Sequence, residues 1–288
     1  MDKFCIITNV EKDEKFQITH MIMDYLTAHK KKYVVAVNEN IDLYRKEGFI
    51  LPSEIPDDMD CAIVLGGDGT MILAASDLVS NDIPIVGVNL GTLGFLTEIE
   101  QNMIHESLDA LFDGNYKIES RLMLEGSIFC NEKEVYSGYA LNDFVINKKG
   151  TSGLIRVKIY VNDEVANTYL CDGIIISTPT GSTGYNLSAG GPIVAPYSKV
   201  MIITPICPHA LFNRSIIVSQ EDKIRIELGK RSKNPDEAII SLDGRLRMEL
   251  QTGDAVEITK GKKKTKLIKV NNNGFFDLLR TKLGEDKE

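Results

Sequence analysis

The sequence predicts two domains of different architecture, an α/β domain followed by a β-rich domain. The chain has 288 residues, which is enough for two ordinary domains. Over residues 1–100, short apolar runs alternate with helical patterns, which is typical of βαβ units around an open, Rossmann-like parallel sheet. After about residue 120, short apolar runs follow one another with only turns between them, as in an antiparallel β domain.

The elements of the first domain follow from the spacing of its apolar residues. Strands are expected at residues 4–8, 33–37, 61–65 and 83–88. The last two are almost wholly apolar, as parallel strands buried on both faces are. Helices are expected where apolar residues recur on one helical face, over residues 14–28, 71–78 and 102–112. The third of these helices would join the two domains.

The second domain is predicted from a series of short β-branched and apolar runs: residues 122–130, 144–146, 155–161, 174–177, 200–204, 216–218, 224–228, 238–242 and 255–259. The lysine-rich residues 260–266 lie between two such runs and are interpreted as a solvated hairpin turn. A last helical pattern over residues 275–283 is expected to pack back on the first domain. The first domain is therefore placed at residues 1–100 with 274–288 returning to it, and the second at 101–273.

Composition and charge exclude several classes of function. The chain is 43% apolar and 26% charged with a net charge of −8, so a nucleic-acid partner is not expected. No apolar stretch approaches the ~20 residues of a membrane-spanning helix, and the N-terminal residues do not follow the order of a signal peptide. The 5 cysteines are scattered, without metal or disulfide spacing. They are expected to be small buried side chains in a reducing compartment, which predicts a cytoplasmic protein without a membrane partner.

The strongest local signal is a glycine-rich segment, Gly66-Gly67-Asp68-Gly69-Thr70, between a predicted strand and a predicted helix. Glycines let a ligand approach the backbone, and the amides at a helix start bind phosphate. The segment also follows the carboxyl end of a strand, where open α/β sheets bind ligands. It is not a P-loop, because no Gly-Lys-Ser/Thr follows, and Ile72 stands where the dehydrogenase fingerprint has its last glycine.

The carboxylate of Asp68 needs a reason to stand in this segment, since it would repel phosphate. It could accept a proton from a hydroxyl group or hold a divalent cation that bridges phosphates. It could also be a simple turn former between glycines.

The second signal is a long polar segment at residues 172–192, which follows a predicted strand and consists mostly of Ser, Thr, Gly and Pro. Its hydroxyls, its free amides and the ring of Tyr185 suit a ligand with phosphates, ribose hydroxyls and a flat base. The Gly-x-Ser-x-Gly pattern of a hydrolase is absent. Two weaker signals are Asn142-Asp143, which interrupts an apolar run and could be a turn or a bulge, and the glycine-bearing segment 89–95, expected beside the first loop.

Taken together, these segments resemble the NAD kinase family. The resemblance rests on residues 66–70, 89–95, 141–143, 172–192, 205–211 and 241–244, and it covers about residues 60–245. Diacylglycerol and sphingosine kinases and phosphofructokinases carry loops similar to the first segment. The long polar segment is more specific.

The resemblance implies ATP-dependent phosphorylation of the adenosine ribose 2′-hydroxyl of NAD, with Mg²⁺ carried on the ATP phosphates and no metal ligands of the chain's own. It implies that Asp68 accepts the hydroxyl proton, that Gly69 brings the backbone close to the dinucleotide, and that Asp172 contacts the far end of NAD. The remaining residues that it implies for nucleotide binding are Phe95, Asn142, Asp143, Thr183, Gly184, Tyr185, Asn186, Leu187, Ser188 and Arg245. A homodimer or homotetramer is expected from the family alone.

Some positions depart from the commoner family pattern. Asp143 stands where Glu is usual, and Gly184 stands where Ala is frequent. Leu73 and Leu170 occupy positions that are often basic, which puts the phosphate-donor preference in question. Arg245, where Gln is common, would compensate for the missing charge.

Two other functions compete with the kinase reading. A lipid kinase with the same glycine loop should have a wide apolar cleft and no Tyr185-bearing polar segment. A non-catalytic dinucleotide sensor would need no carboxylate at position 68.

Overall fold

The computed structural model describes residues 1–37, 41–92, 94–150, 153–210, 212–230, 236–271 and 274–284. Leu93 and Leu211, which belong to two segments of the family resemblance, lie outside the described residues. The chain divides into two compact units, Met1–Ser120 with Thr265–Glu288 and Arg121–Lys264. No helix in the described residues is both long and apolar enough to cross a membrane.

The helices and strands are numbered in chain order. The α-helices are α1 Gln17–Ala28, α2 Ile41–Tyr44, α3 Asp68–Asp77, α4 Ile104–Asp113, α5 Tyr185–Ser188 and α6 Phe275–Leu283. The strands are β1 Lys3–Thr8, β2 Lys32–Val37, β3 Cys61–Gly66, β4 Ile85–Asn89, β5 Ile99–Glu100, β6 Lys117–Cys130, β7 Lys133–Ala140, β8 Asp143–Lys148, β9 Ile155–Val161, β10 Glu164–Cys171, β11 Gly173–Ser177, β12 Val200–Ile206, β13 Ile216–Ser219, β14 Ile224–Leu228, β15 Glu237–Leu242, β16 Leu246–Gln251 and β17 Ala255–Lys269.

The first unit is built on a parallel sheet in the order β2-β1-β3-β4, with β5 beside β4. Every residue of β3 is buried, which explains why its sequence is a continuous apolar run rather than an alternating one. Helix α4 contributes Ile104, Leu108 and Leu111 to the core of this unit. The first unit therefore continues past residue 100, where the sequence placed the domain boundary.

The second unit contains two antiparallel sheets. One has the order β10-β9-β14-β17 and the other the order β13-β12-β11-β8-β15-β16. Alternate residues of both sheets form one apolar core, for example Val157 and Ile226 from the first sheet and Ile176 and Ile203 from the second. The predicted fold class, an α/β domain with a parallel sheet and a β-rich antiparallel domain, is thereby confirmed.

The predicted hairpin turn at residues 260–266 is wrong, because β17 runs unbroken from Ala255 to Lys269. Gly261 is buried against β6, where an added Cβ would lie 2.9 Å from the carbonyl oxygen of Met123. Lysines 262–264 are exposed, and Lys260 pairs with Glu221 at 2.6 Å. The lysines thus occupy solvent-facing positions along a strand, which a composition-based reading mistakes for a turn.

The five cysteines are all free thiols. Cys5, Cys61 and Cys171 are buried as expected, and burial raises the pKa of the Cys5 and Cys171 thiols to about 12. Cys130 is half-buried and Cys207 is exposed, so the expected burial holds for three of the five.

Candidate active site

Three strand ends meet at the carboxyl edge of the first unit's sheet. The amide of Asn9, after β1, donates to the carbonyl of Leu65 at 3.1 Å, and the amide of Leu90, after β4, donates to the carbonyl of Gly66 at 2.9 Å. The side-chain amide of Asn9 also donates to the hydroxyl of Thr70 at 3.3 Å. The glycine segment is therefore fixed between two neighbouring loops, at the edge where parallel sheets bind ligands.

Asp68 is the first residue of α3, and its carboxylate is held by the loop after β4. One oxygen accepts from the amide of Phe95 at 2.8 Å and the other from the amide of Leu96 at 2.9 Å. A Cβ on Gly94 would lie 1.9 Å from the carboxylate, so only glycine allows this approach. A carboxylate has about four acceptor positions, and two of those on Asp68 have no partner among the residues that the structure describes, so a ligand or a proton can occupy them. Asp68 and Phe95, predicted separately, are thus brought together.

The ring of Phe95 packs under the C-terminal helix. Its centroid lies 6.3 Å from that of Phe275, and the ammonium of Lys282 lies 4.7 Å from the Phe95 centroid. Both partners belong to α6, which confirms that the last helix packs back on the first domain. Because Phe275 and Lys282 pack against this ring, Phe95 contacts the candidate site through its backbone amide, which donates to the carboxylate of Asp68.

The glycines of the segment have different reasons to be glycine. A Cβ on Gly66 would lie 2.2 Å from the hydroxyl oxygen of Thr70, so the fold itself requires glycine there. Gly69 is exposed, and a Cβ on it would meet no atom within 4 Å. The space above Gly69 is therefore open to a ligand.

In the second unit, Asp243 holds the turn that carries Asn142. The Asp243 carboxylate accepts from the amides of Leu141, Asn142 and Asp143 at 2.7, 2.8 and 3.1 Å. Its own amide donates to the carbonyl of Asp143 at 3.0 Å. Burial raises the pKa of Asp243, although its bonds to the three amides act in the opposite direction. The turn is thus specified by a residue about 100 positions further along the chain.

The polar segment after β11 is bonded to the same turn. The amide of Thr178 donates to the carbonyl of Asn142 at 2.8 Å, and its hydroxyl donates to the carbonyl of Leu141 at 2.6 Å. A Cβ on Gly181 would lie 2.3 Å from the Asn142 carbonyl oxygen, and one on Gly184 would lie 3.5 Å from the side-chain nitrogen of Asn142. Asn142 and Gly184 are therefore brought close together, and Thr183 directly precedes Gly184 in the chain.

Two polar atoms at this junction have no partner among the described residues. They are the side-chain oxygen of Asn142 and the hydroxyl of Thr180, and both are buried. Buried polar atoms are nearly always hydrogen-bonded in folded proteins, because leaving one unpaired costs about 1–3 kcal/mol. These two atoms are suitably placed to bind a polar ligand.

Asp143 is 6% exposed and lies beside the turn that Asp243 holds. Burial, followed by repulsion from the Asp243 carboxylate, raises the pKa of Asp143 to about 7. Near neutral pH this side chain is therefore partly protonated, and it can both donate and accept a hydrogen bond.

The residues of α5 differ in what they offer. Tyr185 is 43% exposed, so one face of its ring is available for stacking. Ser188 is exposed and Leu187 is half-buried. Asn186, in contrast, is fully buried. It donates to the carbonyls of Ser182 and Pro192 and accepts from the hydroxyl of Thr204. The Asn186 side chain is thus used within the protein and holds the polar segment in shape.

Asp172 is not brought together with these residues. It precedes β11 whereas Thr178 follows it, and the five residues of this strand place the two about 20 Å apart. Its carboxylate pairs with Lys148 at 2.7 Å. Arg245 is exposed in the turn between β15 and β16, and its charge acts to lower the pKa of Asp243.

Sequence reasoning missed several residues at these two places. Asn9 and Lys12 were not singled out, because isolated polar residues near strand ends carry no pattern of their own. Thr178 and Thr180 were included only as members of the polar segment. Asp243 was noted as part of a segment of the family resemblance, and its three hydrogen bonds join parts of the chain that no local pattern connects.

The described residues include no group of three or more His, Cys, Asp or Glu side chains placed to hold a metal ion. Mg²⁺ in phosphoryl-transfer sites is bound largely by substrate phosphates and water, with one or two carboxylates from the protein. The single carboxylate of Asp68, with two free acceptor positions, is compatible with a Mg²⁺ ion that enters on a nucleotide.

Comparison with known proteins covers nearly the whole chain. The family described as the ATP-NAD kinase N-terminal domain matches residues 4–116, and the ATP-NAD kinase C-terminal domain matches residues 141–270. A protein named NAD kinase from Lachnoclostridium phytofermentans is 48% identical over 99% of this chain and 100% of its own length. The NAD kinase of Caldanaerobacter subterraneus is 43% identical over 99% of this chain and 100% of its own length.

Two solved structures share the fold. Yeast NADH kinase complexed with NADH superposes with a TM-score of 0.84 at 24% identity, over 100% of this chain and 89% of that chain. The NAD kinase from Archaeoglobus fulgidus in complex with ATP gives a TM-score of 0.75 at 24% identity, over 98% of this chain and 97% of that chain. The matches of both domains and of full-length relatives agree with the segments that first suggested the resemblance, and the chain belongs to the ATP-NAD kinase family.

Proposed function

We propose that this chain transfers the γ-phosphoryl group of ATP to the 2′-hydroxyl of the adenosine ribose of NAD, forming NADP and ADP. The observation that carries the proposal is the match of both domains to the ATP-NAD kinase family, together with relatives named NAD kinase at 43–48% identity over 99% of the chain. Diacylglycerol and sphingosine kinases share only the glycine segment with this sequence, so a lipid substrate is not favoured.

In the proposed reaction, Asp68 is the proton acceptor. The ribose oxygen forms a bond to the γ-phosphorus while the bond from that phosphorus to the β,γ-bridging oxygen breaks, and ADP leaves. The hydroxyl proton passes to a free acceptor position of the Asp68 carboxylate. The amides of Phe95 and Leu96 hold this carboxylate in one orientation. Phosphoryl transfer depends mainly on positioning, so fixing the acceptor contributes directly to rate.

The proposed nucleotide contacts follow from exposed or unpartnered groups. Asn142 and Thr180 would bind the nucleotide with their buried, unpartnered oxygens, and Tyr185 would stack on the adenine ring. Asp143, which is partly protonated, would bond a ribose hydroxyl. The remaining residues proposed to line the nucleotide, by backbone or surface contact, are Gly69, Phe95, Thr183, Gly184, Leu187, Ser188 and Arg245. Asp172 remains the candidate for the far end of NAD, and Asn186 is proposed to act only by shaping the segment.

Mg²⁺ bound to ATP would neutralise phosphate charge in this reaction. The five free thiols suit a reducing compartment, which supports the proposal of a cytoplasmic enzyme. We also propose a homodimer or homotetramer, on the strength of the family resemblance alone. Light scattering on the purified protein tests this assembly.

The test of the function is a coupled assay with purified protein. NAD, ATP and Mg²⁺ are incubated with the enzyme, and the product is measured with an NADP-specific dehydrogenase. The expected result is NADP formation that stops when any one component is left out. Binding of NAD without turnover would indicate a sensor, and phosphorylation of diacylglycerol or sphingosine instead of NAD would indicate a lipid kinase.

A further inference from the structure

We propose that Lys12 binds the phosphate groups of the donor nucleotide at the glycine loops of the first unit. The inference rests on the proposed function and adds a residue to it. A Cβ built on Gly67 would lie 3.0 Å from the ammonium nitrogen of Lys12, and one built on Gly91 would lie 3.9 Å from it. The ammonium group therefore lies over the backbone of both the loop after β3 and the loop after β4.

The position of Lys12 is fixed through its backbone. Its amide donates to the side-chain oxygen of Asn9 at 3.1 Å, and the same oxygen accepts from the amide of Glu11 at 3.0 Å. The other end of the Asn9 side chain donates to Thr70 in helix α3. One asparagine thus connects the lysine-bearing loop to the helix that begins at Asp68. A ligand at the glycine loops would meet a cation whose Cα is already in place, which reduces the entropy lost on binding.

Among the described parts of the chain, the charge of Lys12 has no ion-pair partner. Several other lysines of this acidic unit form ion pairs, such as Lys31 with Asp2 at 2.7 Å and Lys269 with Glu98. Across the described residues, no carboxylate lies within ion-pair distance of the Lys12 ammonium, although Lys12 has acidic neighbours in sequence at Glu11 and Asp13. The carboxylate of Asp13 is buried and bonds instead to the amides of Ile18 and Thr19.

These features together suit a polyphosphate. Gly67 and Gly91 present no side chain, α3 begins directly after Gly67, and its first amides point out of the helix start. An ammonium group beside free amides is a frequent arrangement for phosphate recognition. The first unit thus has a cation for the donor near the carboxylate that serves the acceptor.

The experiment compares Lys12→Gln and Lys12→Arg with wild type and with Lys15→Gln, an exposed lysine of the same segment. For Lys12→Gln we expect the KM for ATP to rise about 10- to 100-fold, which is the loss of one charge-assisted hydrogen bond. The KM for NAD should stay within about twofold, and Lys12→Arg should restore most of the ATP affinity. Lys15→Gln should match wild type. Isothermal titration of each folded variant with MgATP, without NAD, should give the same order of affinities.

Each alternative outcome overturns the inference. An unchanged KM for ATP in Lys12→Gln would show that the ammonium does not touch the donor, and a rise in the KM for NAD alone would assign it to the acceptor. An equal rise of the KM for ATP in Lys15→Gln would show that the effect of Lys12→Gln comes from general surface charge and not from a contact with the donor. Because the titration needs no NAD, a wild-type protein that binds MgATP through Lys12 but forms no NADP would contradict the proposed function and leave this inference standing.

Discussion

Replacing Asp68 by Asn separates the observed task of this carboxylate, which is to hold the loop after β4, from its proposed task of accepting the ribose proton. Asn retains one oxygen, which can still accept from the amide of either Phe95 or Leu96. Its NH₂ group then faces the other backbone amide. Two hydrogen-bond donors therefore oppose each other in place of one of the two bonds, which are 2.8 and 2.9 Å long in the wild type. The loss of one hydrogen bond to a charged group costs about 1.5–3 kcal/mol. A melting temperature lower by roughly 3–12 °C is expected.

The effect of Asp68→Asn on turnover should be much larger than its effect on binding. Asn cannot accept the ribose proton, and loss of a general base lowers kcat by about 10²–10⁴-fold. The affinity for NAD should change by only a few-fold, since the residues proposed to bind the nucleotide belong mostly to the second unit. Both are measured well below the melting temperature of the variant, with the coupled NADP assay for turnover and calorimetric titration for NAD.

A second variant controls for displacement of the loop. Gly94→Ala keeps the carboxylate but pushes it aside, since the new Cβ would lie 1.9 Å from it. Its kcat should fall, but by less than in Asp68→Asn, because the carboxylate that accepts the proton is still present. If folded Asp68→Asn retained a kcat within about tenfold of wild type, Asp68 would be a structural residue and the proton-acceptor role would be wrong.

Three further predictions follow from the same geometry. The folded chain keeps a proton on Asp143, whose pKa is about 7, over a pH range in which the unfolded chain has lost it, so wild-type stability should fall as pH rises from about 4 to 7. Asp143→Asn removes this loss of stability, which is at most about 4 kcal/mol in the free energy of unfolding. In thermal melts, the difference in melting temperature between the variant and wild type should therefore grow in favour of the variant from pH 5 to 8. A difference that stays constant with pH would contradict the raised pKa of Asp143. Gly181→Ala should lower the melting temperature, because its Cβ would lie 2.3 Å from the Asn142 carbonyl oxygen, and an unchanged melt would show that this contact relaxes freely. Gly69→Ala should leave the melting temperature unchanged but raise the KM for NAD severalfold in the coupled assay; an unchanged KM would remove Gly69 from the nucleotide site.

The fold was largely predictable because its main signals are local. An apolar run such as Cys61–Gly66 is typical of a strand covered on both faces, and short apolar runs separated only by turns predict the antiparallel strands of the second unit. The first part of strand β17 was predicted, but its continuation was not, because its middle is lysine-rich. Gly261 in this middle part packs against Met123 in another strand. Such a contact is invisible in a single stretch of sequence.

The sequence predicted which segments form the candidate site, but it did not predict the role of each side chain within them. Asn186 lies in the middle of the polar segment and looks like a ligand contact, yet its side chain is fully bonded to Ser182, Pro192 and Thr204. Asp243 looks like a turn former, yet it sets the backbone that presents Asn142. The role of Asn186 depends on the direction of its side chain, and the role of Asp243 depends on partners that lie elsewhere in the chain. Neither is encoded in residue type or local spacing.

Glycine is the residue whose role sequence reasoning is least able to assign, because a fold and a ligand can each require the absence of a Cβ. Gly66 and Gly94 are glycine because protein atoms occupy the Cβ position, those of Thr70 and of Asp68. At Gly69 no described atom lies within 4 Å of that position, and its φ is not in the left-handed region that would itself favour glycine. We therefore propose that a bound ligand is the reason for glycine at position 69. The protein's own packing requires Gly66 beside Thr70 and Gly94 beside Asp68, and Gly69 is the glycine that we propose to face the substrate.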